Sequence, residues 1–294
     1  MIKVKKRWVI SLAVVAVLAI SYLYLSSVNI PVLEPKGIIA DKEFRLLLLV
    51  TGIMLIIVIP VFVLLFYILY KYRDSNTKKT KYSPDWDHSR IIEGIWWTVP
   101  SLMILVLSII TWRATYALNP YRPIASKKPP IVVQVVSLQW KWLFIYPKEN
   151  VASVNRLVIP VNTPIHFYLT SDAPMNSFWV PQLSGQIYSM PGMRTQLYIM
   201  ANQKGVYNGW SANISGAGFA GMMFQTQATS SANYSSWINK IRTSSPVLTL
   251  STYNKLSKPS SYVKPKYYSY PSANLFNGII LKYRIPNFSY RKLA

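Results

Sequence analysis

The chain has 294 residues, of which 51% are hydrophobic and 14% are charged. This composition excludes a disordered chain and indicates a membrane protein with a folded part outside the bilayer. Cysteine is absent, which excludes disulfides, thiolate catalysis, iron–sulfur clusters and every thiolate-bound copper or zinc site. The formal net charge is +23, but there is no long basic run or recognition helix, so nucleic acid is not an expected partner.

The first predicted element is an apolar run, Trp8 to Leu25, that follows the basic segment Lys3 to Arg7. This pattern is typical of a secretory signal or of a first membrane anchor, and residues 1–28 are assigned to it. Small residues at Ser26 and Ser27 do not complete an Ala-x-Ala cleavage pattern, and no cysteine is present for lipid attachment. The sequence leaves both alternatives open and slightly favours an export signal.

Two transmembrane helices are predicted within residues 29–113. The segment Arg45 to Tyr70 contains an uncharged stretch longer than the roughly 20 residues that a hydrocarbon core requires. The segment Ile91 to Trp112 forms the second span and has tryptophans near both ends. The loop between the spans is basic, with Lys71, Arg73, Lys78, Lys79 and Lys81. The positive-inside rule therefore places this loop in the cytoplasm and everything after Trp112 outside the cell, as does the basic N-terminal segment.

Beyond the second span, short runs of β-branched and aromatic residues alternate with Pro, Gly and Asn, beginning with IVVQVVSL at Ile131. This spacing predicts a small all-β sandwich or barrel within residues 114–229. Residues 230–294 form a tail that begins with a short amphipathic helix, SWINKIRTS, and contains a second helix around Asn274 to Tyr283. Because the tail is too aromatic for a simple linker, we expect it to pack against the β domain or a partner. A partly ordered basic tail near anionic headgroups is the alternative.

Histidine is the remaining side chain that commonly binds transition metals, and the chain has only His88 and His166. His88 lies in the predicted cytoplasmic loop, whereas His166 lies in the predicted β domain. Because they would stand on opposite sides of the membrane, they could not bind the same ion. No metal or cofactor is therefore expected in this chain, and His166 is expected to be an ordinary strand residue.

Two transmembrane helices followed by a β domain, with the motifs LQWKWLFIY, NSFWVPQL and SANISGAGFAGMMF, resemble subunit II of the haem–copper respiratory oxidases. The resemblance runs from about Pro35 into the tail. It implies a membrane α-helical hairpin of two transmembrane helices plus an extracytoplasmic all-β cupredoxin-like barrel. In the cytochrome c oxidase branch of that family, the barrel holds a binuclear copper centre on the pattern Cys-x-Glu-x-Cys-x3-His-x2-Met and an earlier histidine.

This chain departs from that pattern at every thiolate and imidazole position. The degenerate copper-site positions are Ser211, Asn213, Ser215 and Phe219, with Asn176 for the earlier histidine and Met222 alone retained. A hydroxyl is too hard and too weakly basic to replace a bridging thiolate for copper, so no binuclear copper centre is expected. The same stretch is also consistent with a plain glycine-rich turn between two strands, since Gly216, Gly218 and Gly221 permit unusual backbone angles.

Loss of these ligands is typical of the quinol oxidase branch, the cytochrome bo-type ubiquinol oxidases. The motifs KYSPDWDHSRIIEGIWWTVP, APMNSFWVPQLSGQIYSMPGM and SGAGFAGMMF resemble that branch. The resemblance implies a non-redox subunit of a proton-translocating quinol oxidase, in a bacterial cytoplasmic membrane, multi-pass and with its C-terminal domain outside. Haems and copper are then expected in partner subunit I, quinol is the substrate of the complex, and subunits III and IV and membrane lipid are further partners.

Charge independently favours a quinol over a basic cytochrome c as the electron donor. From Arg113 onward the sequence holds 19 lysines and arginines but only two carboxylates, Glu149 and Asp172. A docking face for a basic soluble protein would be rich in carboxylates, so this domain would repel such a donor.

Glu93 lies at the cytoplasmic start of the second span. The resemblance implies that it admits protons to a channel in subunit I. A carboxylate in a first helical turn is also favoured by the helix dipole alone, so both explanations stay open. Trp140 and Trp142 match the aromatic patch through which the cytochrome c branch admits electrons. Without copper beneath them, we expect these tryptophans to pack in the barrel or to contact an interface.

A competing function comes from a different class of protein. A membrane-anchored cupredoxin-like binding or assembly protein without oxidase function would share the helices and the β domain. The two functions are separated by whether haem-containing subunits co-purify with the chain.

Overall fold

A computed structural model describes residues 30–73 and 87–286, together with residues 16, 17, 19–21 and 23. The predicted signal or anchor, residues 1–28, lies almost entirely outside the described residues, as does most of the basic loop, residues 74–86. The chain divides into two compact units, residues 1–34 and 35–294. The first unit includes a short 3-10 turn, Pro31–Leu33, and the second carries the helices and the β domain.

Two long helices, α1 (Ile38–Lys71) and α2 (Arg90–Ala117), are apolar enough to cross a membrane, which confirms the predicted pair. Both helices continue through an internal proline, and their apolar side chains are exposed along most of their length. α1 begins well before the predicted span. Its polar first turns are held by an ion pair between Arg45 Nε and Asp41 Oδ2 at 2.9 Å, with the i,i+4 spacing that stabilises helices.

The predicted all-β domain is built from two sheets that pack face to face. The strands are β1 (Ile131–Leu138), β2 (Lys141–Tyr146), β3 (Val151–Val154), β4 (Arg156–Pro160), β5 (Ile165–Ser171), β6 (Asn176–Trp179), β7 (Ile187–Ser189), β8 (Thr195–Ile199), β9 (Gly205–Ser211), β10 (Met223–Thr229) and β11 (Lys266–Ser269). Within the described residues, one sheet has the order β11-β3-β2-β1-β5-β8 and the other β4-β10-β9-β6-β7. The pairs β1–β5 and β4–β10 are parallel, and the other pairs are antiparallel.

Aromatic side chains from both sheets form the centre of the core. The rings of Phe178 and Phe224 stack at 5.1 Å, and Trp142 packs edge-on against Phe178 at 5.5 Å. All three are buried. Gly209 makes room for this cluster, because a Cβ there would lie 2.1 Å from the Phe224 ring. The packing fixes β6 and β10, which flank the two loops that carry the degenerate copper-site positions.

Part of the tail covers the outer face of the larger sheet, and part of it packs in the central core. It contains helices α3 (Ser231–Ser244), α4 (Leu250–Leu256) and α5 (Leu275–Lys282), and its strand β11 pairs with β3. Leu143 and Ile145 of β2 point away from the central core and pack in a second cluster with Tyr253, Phe276 and Ile279. The strand period of two explains why β2 serves both clusters. The tail therefore packs against the β domain, one of the alternatives considered for it.

Candidate functional site

Strand pairing brings the two loops of the degenerate copper site together. The first loop follows β5 and leads into Asn176, and the second joins β9 to β10 and spans residues 211–222. Because β6 pairs with β9, Phe178 stands opposite Ser211. The Ser211 N–H donates to the Met222 carbonyl at 3.3 Å. The positions that the motif singled out are thus neighbours in space.

Side chains at these positions hydrogen-bond to one another and to nearby backbone carbonyls. The Ser211 hydroxyl donates to Asn176 Oδ1 at 3.0 Å, and both residues are buried. Asn176 Nδ2 donates to the Pro174 carbonyl at 2.8 Å, and Asn213 Nδ2 donates to the Met175 carbonyl at 2.9 Å. The two loops are therefore joined directly, and both amide groups have hydrogen-bond partners.

The other positions of the loop also do not form a ligand set. The Ser215 hydroxyl is buried and has no hydrogen-bond partner among the described residues. Phe219 opens a 3-10 turn, Phe219–Gly221, and Met222 is buried. One lone hydroxyl and one thioether cannot stand in for two bridging thiolates and two imidazoles. The residues present do not fit a binuclear copper centre, and the described ranges hold no cluster of three His, Cys, Asp or Glu that could bind an ion.

The Trp140 side chain packs against the second loop. Its backbone has φ of 63°, and its indole N–H donates to the Ser215 carbonyl at 3.3 Å. The indole lies against Gly218, where a Cβ would come within 2.2 Å of the ring. Gly216 has φ of 119°, a conformation that glycine adopts without strain. Gly216 and Gly218 thus allow the loop to pack closely against the Trp140 indole.

For Trp142 the structure favours barrel packing, one of the two alternatives considered, over contact at an interface. This side chain has no exposed surface and packs inside the barrel against Phe178 and Phe224. It therefore cannot touch another subunit. Trp140 is only half-buried, so part of its indole remains at the surface beside the second loop.

Sequence reasoning missed the role of Asp172, which it treated only as one of two carboxylates. Asp172 Oδ2 accepts a hydrogen bond from the Tyr253 hydroxyl at 2.6 Å. Its Oδ1 accepts from the Tyr283 hydroxyl at 2.9 Å and from Lys282 Nζ at 2.6 Å. All three donors belong to the tail. The usable signal was the scarcity of carboxylates in a basic region, directly before the APMNSF motif.

A second contact ties the tail to the site. Lys141 Nζ donates to the carbonyls of Gln139 at 3.1 Å and Lys258 at 2.8 Å. Its side chain is buried, and this burial, with a smaller contribution from nearby Lys266, lowers the pKa of Lys141 to about 8. A Cβ on Gly221 would come within 2.8 Å of the Tyr262 backbone nitrogen. Tail residues near 258–262 therefore lie directly against the β1–β2 turn and the second loop.

Glu93 lies in the first turn of α2. Its side chain is exposed, and it has no ion pair or side-chain hydrogen bond with any described residue. The nearby carboxylate of Asp87 has its own partner, because Asp87 Oδ1 lies 2.8 Å from His88 Nδ1. The N-cap residue Ser89 makes no side-chain cap. Glu93 thus keeps a carboxylate available at this end of the helix.

His166 lies in β5, as expected for a strand residue. Its ring stacks on Tyr198 with centroids 4.0 Å apart, and its Nε2 lies 3.0 Å from Gln196 Oε1. Burial lowers the pKa of His166 below its ordinary value. The ring therefore packs in the larger sheet as an aromatic side chain.

Comparison with known proteins identifies the family. Residues 148–229 match the family described as cytochrome C oxidase subunit II, periplasmic domain, and residues 242–287 match the COX Aromatic Rich Motif. Cytochrome bo(3) ubiquinol oxidase subunit 2 of Pseudomonas aeruginosa is 46% identical over 261 residues, which cover 89% of this chain and 78% of that protein. This chain belongs to the ubiquinol oxidase subunit II family. The family membership confirms the predicted resemblance and the fold of two helices with a cupredoxin-like barrel.

Other similar proteins include ubiquinol oxidase subunit 2 of Acetobacter aceti. It is 44% identical over 265 residues, covering 90% of this chain and 86% of the relative. Among solved structures, the periplasmic domain of cytochrome oxidase subunit II of Bradyrhizobium japonicum is 21% identical. It covers 40% of this chain and 96% of that domain, with a TM-score of 0.37.

Proposed function

We propose that this chain is the non-redox subunit II of a proton-translocating ubiquinol oxidase. The observation that carries this proposal is the hydrogen bond between Ser211 and Asn176, two positions that would otherwise hold copper ligands. The sequence has no cysteine with which to rebuild the centre. The barrel then acts by shape and contact, and electrons travel through a partner subunit.

Ubiquinol is the proposed electron donor, because a subunit without a copper centre cannot relay electrons from outside the membrane. Ubiquinol dissolves in the membrane and delivers its electrons to haem within the bilayer, so no external copper relay is required. The names of the Pseudomonas aeruginosa and Acetobacter aceti relatives support ubiquinol as the substrate of the complex. The excess of lysine and arginine after Arg113 opposes a basic cytochrome c as donor.

The exposed apolar surfaces of the two helices indicate partners within the membrane. Their apolar side chains are exposed along the spans, as expected for helices that meet lipid and other subunits rather than a core of their own. We assign the haems and copper of the complex to subunit I, with subunits III and IV as further partners. The complex lies in the bacterial cytoplasmic membrane, with the cupredoxin-like barrel on the extracytoplasmic side.

Glu93 is the residue through which this subunit supports proton uptake. It is exposed at the cytoplasmic end of α2, and the helix beyond it is uncharged from residue 94 to residue 112. An ionisable side chain at the edge of a span is stable when it faces water, a partner or a proton path. Water and a channel in subunit I together meet this condition.

Purification of the tagged full-length chain from native membranes tests the proposed function. We expect haem-containing subunits to co-purify, oxygen uptake with ubiquinol but not with reduced cytochrome c, and no paramagnetic signal of a binuclear copper centre. A haem-free preparation would instead support the membrane-anchored binding or assembly protein. Oxygen uptake driven by cytochrome c, or a binuclear copper signal from this subunit, would overturn the proposal.

A further inference from the structure

The tail carries an exposed tyrosine in an unusual backbone conformation. Tyr262 has φ of 54°, a left-handed conformation that is unfavourable for a bulky residue. The residue is nevertheless 70% exposed, so burial of its ring does not compensate for this cost. Strained backbone positions are concentrated at binding and active sites, which makes the surface around Tyr262 a candidate for binding.

Hydrogen bonds to the barrel hold the chain on both sides of Tyr262. Before it, Lys141 Nζ donates to the Lys258 carbonyl at 2.8 Å. After it, Asn155 Nδ2 donates to the Val263 carbonyl at 2.8 Å. Lys141 and Asn155 are themselves buried. The exposed ring therefore stands on a fixed support, and little conformational entropy remains to be lost when a partner binds.

Three lysines flank Tyr262. Lys258, Lys264 and Lys266 are exposed, and none of them forms an ion pair with a residue that the structure describes. Tyr262 and these three lysines are called the basic patch below. An anionic group that reaches the basic patch meets three positive charges around one aromatic ring.

No carboxylate of the barrel balances the basic patch. From Arg113 onward the sequence has only two carboxylates, Asp172 and Glu149. The Asp172 side chain is 1% exposed and pairs with Lys282. Glu149 lies in the turn between β2 and β3, at the opposite end of β2 from Lys141. The patch therefore keeps a positive potential that an acidic surface would complement.

The basic patch lies far from the membrane helices along the barrel. Near the start of β1, the Tyr198 N–H donates to the carbonyl of Pro120, which follows α2, at 3.2 Å. Beyond the other end of β1, the Gln139 carbonyl accepts from the Ser260 N–H at 3.2 Å. Strand β1 has 8 residues, so the two contacts are roughly 25 Å apart at about 3.3 Å per residue. This separation favours a protein over a lipid headgroup as the occupant.

We propose that the basic patch binds an acidic segment of an extracytoplasmic protein that joins the assembled complex. Carboxylates of the segment pair with the three lysines, and an apolar side chain between them packs on the Tyr262 ring. An aromatic centre with a polar rim is the usual composition of a protein interface. Of the proposed function, this inference uses only the extracytoplasmic position of the barrel.

Binding of a synthetic peptide to the purified complex tests the proposal. The probe is a fluorescein-labelled peptide with glutamates on both sides of a leucine–phenylalanine pair, and fluorescence anisotropy at low ionic strength measures its affinity. Tyr262→Asn removes the ring and introduces a residue that tolerates the left-handed backbone. The patch variant removes the three lysine charges: Lys258→Gln/Lys264→Gln/Lys266→Gln. The matched control removes three charges from exposed positions elsewhere: Lys127→Gln/Lys204→Gln/Lys240→Gln.

We expect the patch variant to bind the peptide roughly ten-fold more weakly than the wild type, as for the loss of three modest surface ion pairs. Tyr262→Asn should weaken binding roughly five-fold, as for truncation of an aromatic interface residue. The control should bind within about two-fold of the wild type. Haem content and the midpoint of thermal unfolding verify that each variant is folded and assembled.

Equal affinity of the wild type and the patch variant would overturn the proposal. So would an equal loss in the control, which would assign binding to the net charge of the barrel. Phosphatidylglycerol vesicles that bind the wild type but not the patch variant, while the peptide binds neither, would assign the patch to lipid instead. The measurement requires no ubiquinol, so its failure leaves the proposed function to be decided by oxygen uptake.

Discussion

The carboxylate of Asp172, in the loop after β5, accepts a hydrogen bond of 2.6 Å from the ammonium group of Lys282 at the end of α5. Tyr253 and Tyr283 donate to the same carboxylate. The Asp172 side chain is only 1% exposed, whereas that of Lys282 is 44% exposed. One carboxylate therefore fastens two helices of the tail to the loop that leads into Asn176.

Asp172→Asn should loosen the tail. The amide keeps one acceptor oxygen and turns an NH₂ group towards the donors, so at least one of the three hydrogen bonds is lost without a replacement. We expect the free energy of unfolding to fall by about 1–3 kcal/mol, the usual cost of an unsatisfied buried group. Thermal unfolding and limited proteolysis within residues 245–286 measure the effect. Lys282→Gln is the matched comparison and should cost less, because the two tyrosines still satisfy Asp172; an unchanged cleavage rate in Asp172→Asn would contradict the assignment.

Gly218→Ala should destabilise the second loop through Trp140. The new Cβ would lie 2.2 Å from the indole, so the ring or the loop must move. We expect a cost of about 1–3 kcal/mol, as for overpacking elsewhere. In a Trp140→Ala background the same change should cost much less, because the clash is gone. A double-mutant cycle on thermal unfolding measures the difference, and equal costs in the two backgrounds would show that the contact is not responsible.

The contribution of Lys141 to the stability of the barrel should rise with pH above neutrality. Its pKa is about 8 in the folded protein, below the ordinary value of 10.5. Between these two values the unfolded chain binds more protons, so the contribution of Lys141 to stability increases as pH rises from about 8 to about 10.5. Below pH 8 the penalty for burying the charge is present in full. The midpoint of thermal unfolding, recorded at several pH values, should therefore rise relative to that of Lys141→Met as pH increases. Lys240→Met, at an exposed position, should show no such trend, and a flat difference for Lys141→Met would refute the prediction.

Glu93→Gln should lower the turnover of the complex several-fold and reduce proton pumping, while haem content and subunit composition stay unchanged. The amide keeps the size and most of the hydrogen-bonding capacity of the side chain but cannot carry a proton. Ubiquinol-dependent oxygen uptake and acidification by reconstituted vesicles are the measurements. Asp87→Asn removes a carboxylate from the same helix end and should leave both unchanged. Normal turnover in Glu93→Gln would assign this residue to the helix dipole alone.

The membrane spans could be predicted from sequence because uncharged runs longer than a bilayer are rare outside membranes. The start of α1 could not, since its polar first turns depend on the Asp41–Arg45 pair and on the contact of Glu43 with Gly185. Trp140 and Trp142 show a second limit of prediction from sequence. A spacing of two puts residues on one face of a strand, but the chain turns at Trp140 with positive φ, so the strand rule does not apply to Trp140 and Trp142.

The candidate site could be outlined from the sequence only through the family resemblance, which sets each position against a ligand of the copper-binding branch. Its internal hydrogen bonds could not be predicted, since the contact of Ser211 with Asn176 requires β6 to pair with β9. The scarcity of carboxylates marks Asp172 in the sequence, but its partners could not be predicted, because its three donors lie 81 to 111 residues further along the chain.

The pairing of β11 with β3 has a consequence for biogenesis. During synthesis, residues 151–154 emerge before residues 266–269, which supply their missing neighbour. Until then, β3 exposes unpaired backbone groups along one edge, a template for misassembly with other nascent chains. The edge of the larger sheet at β3 is thus closed only when β11 of the tail has joined it.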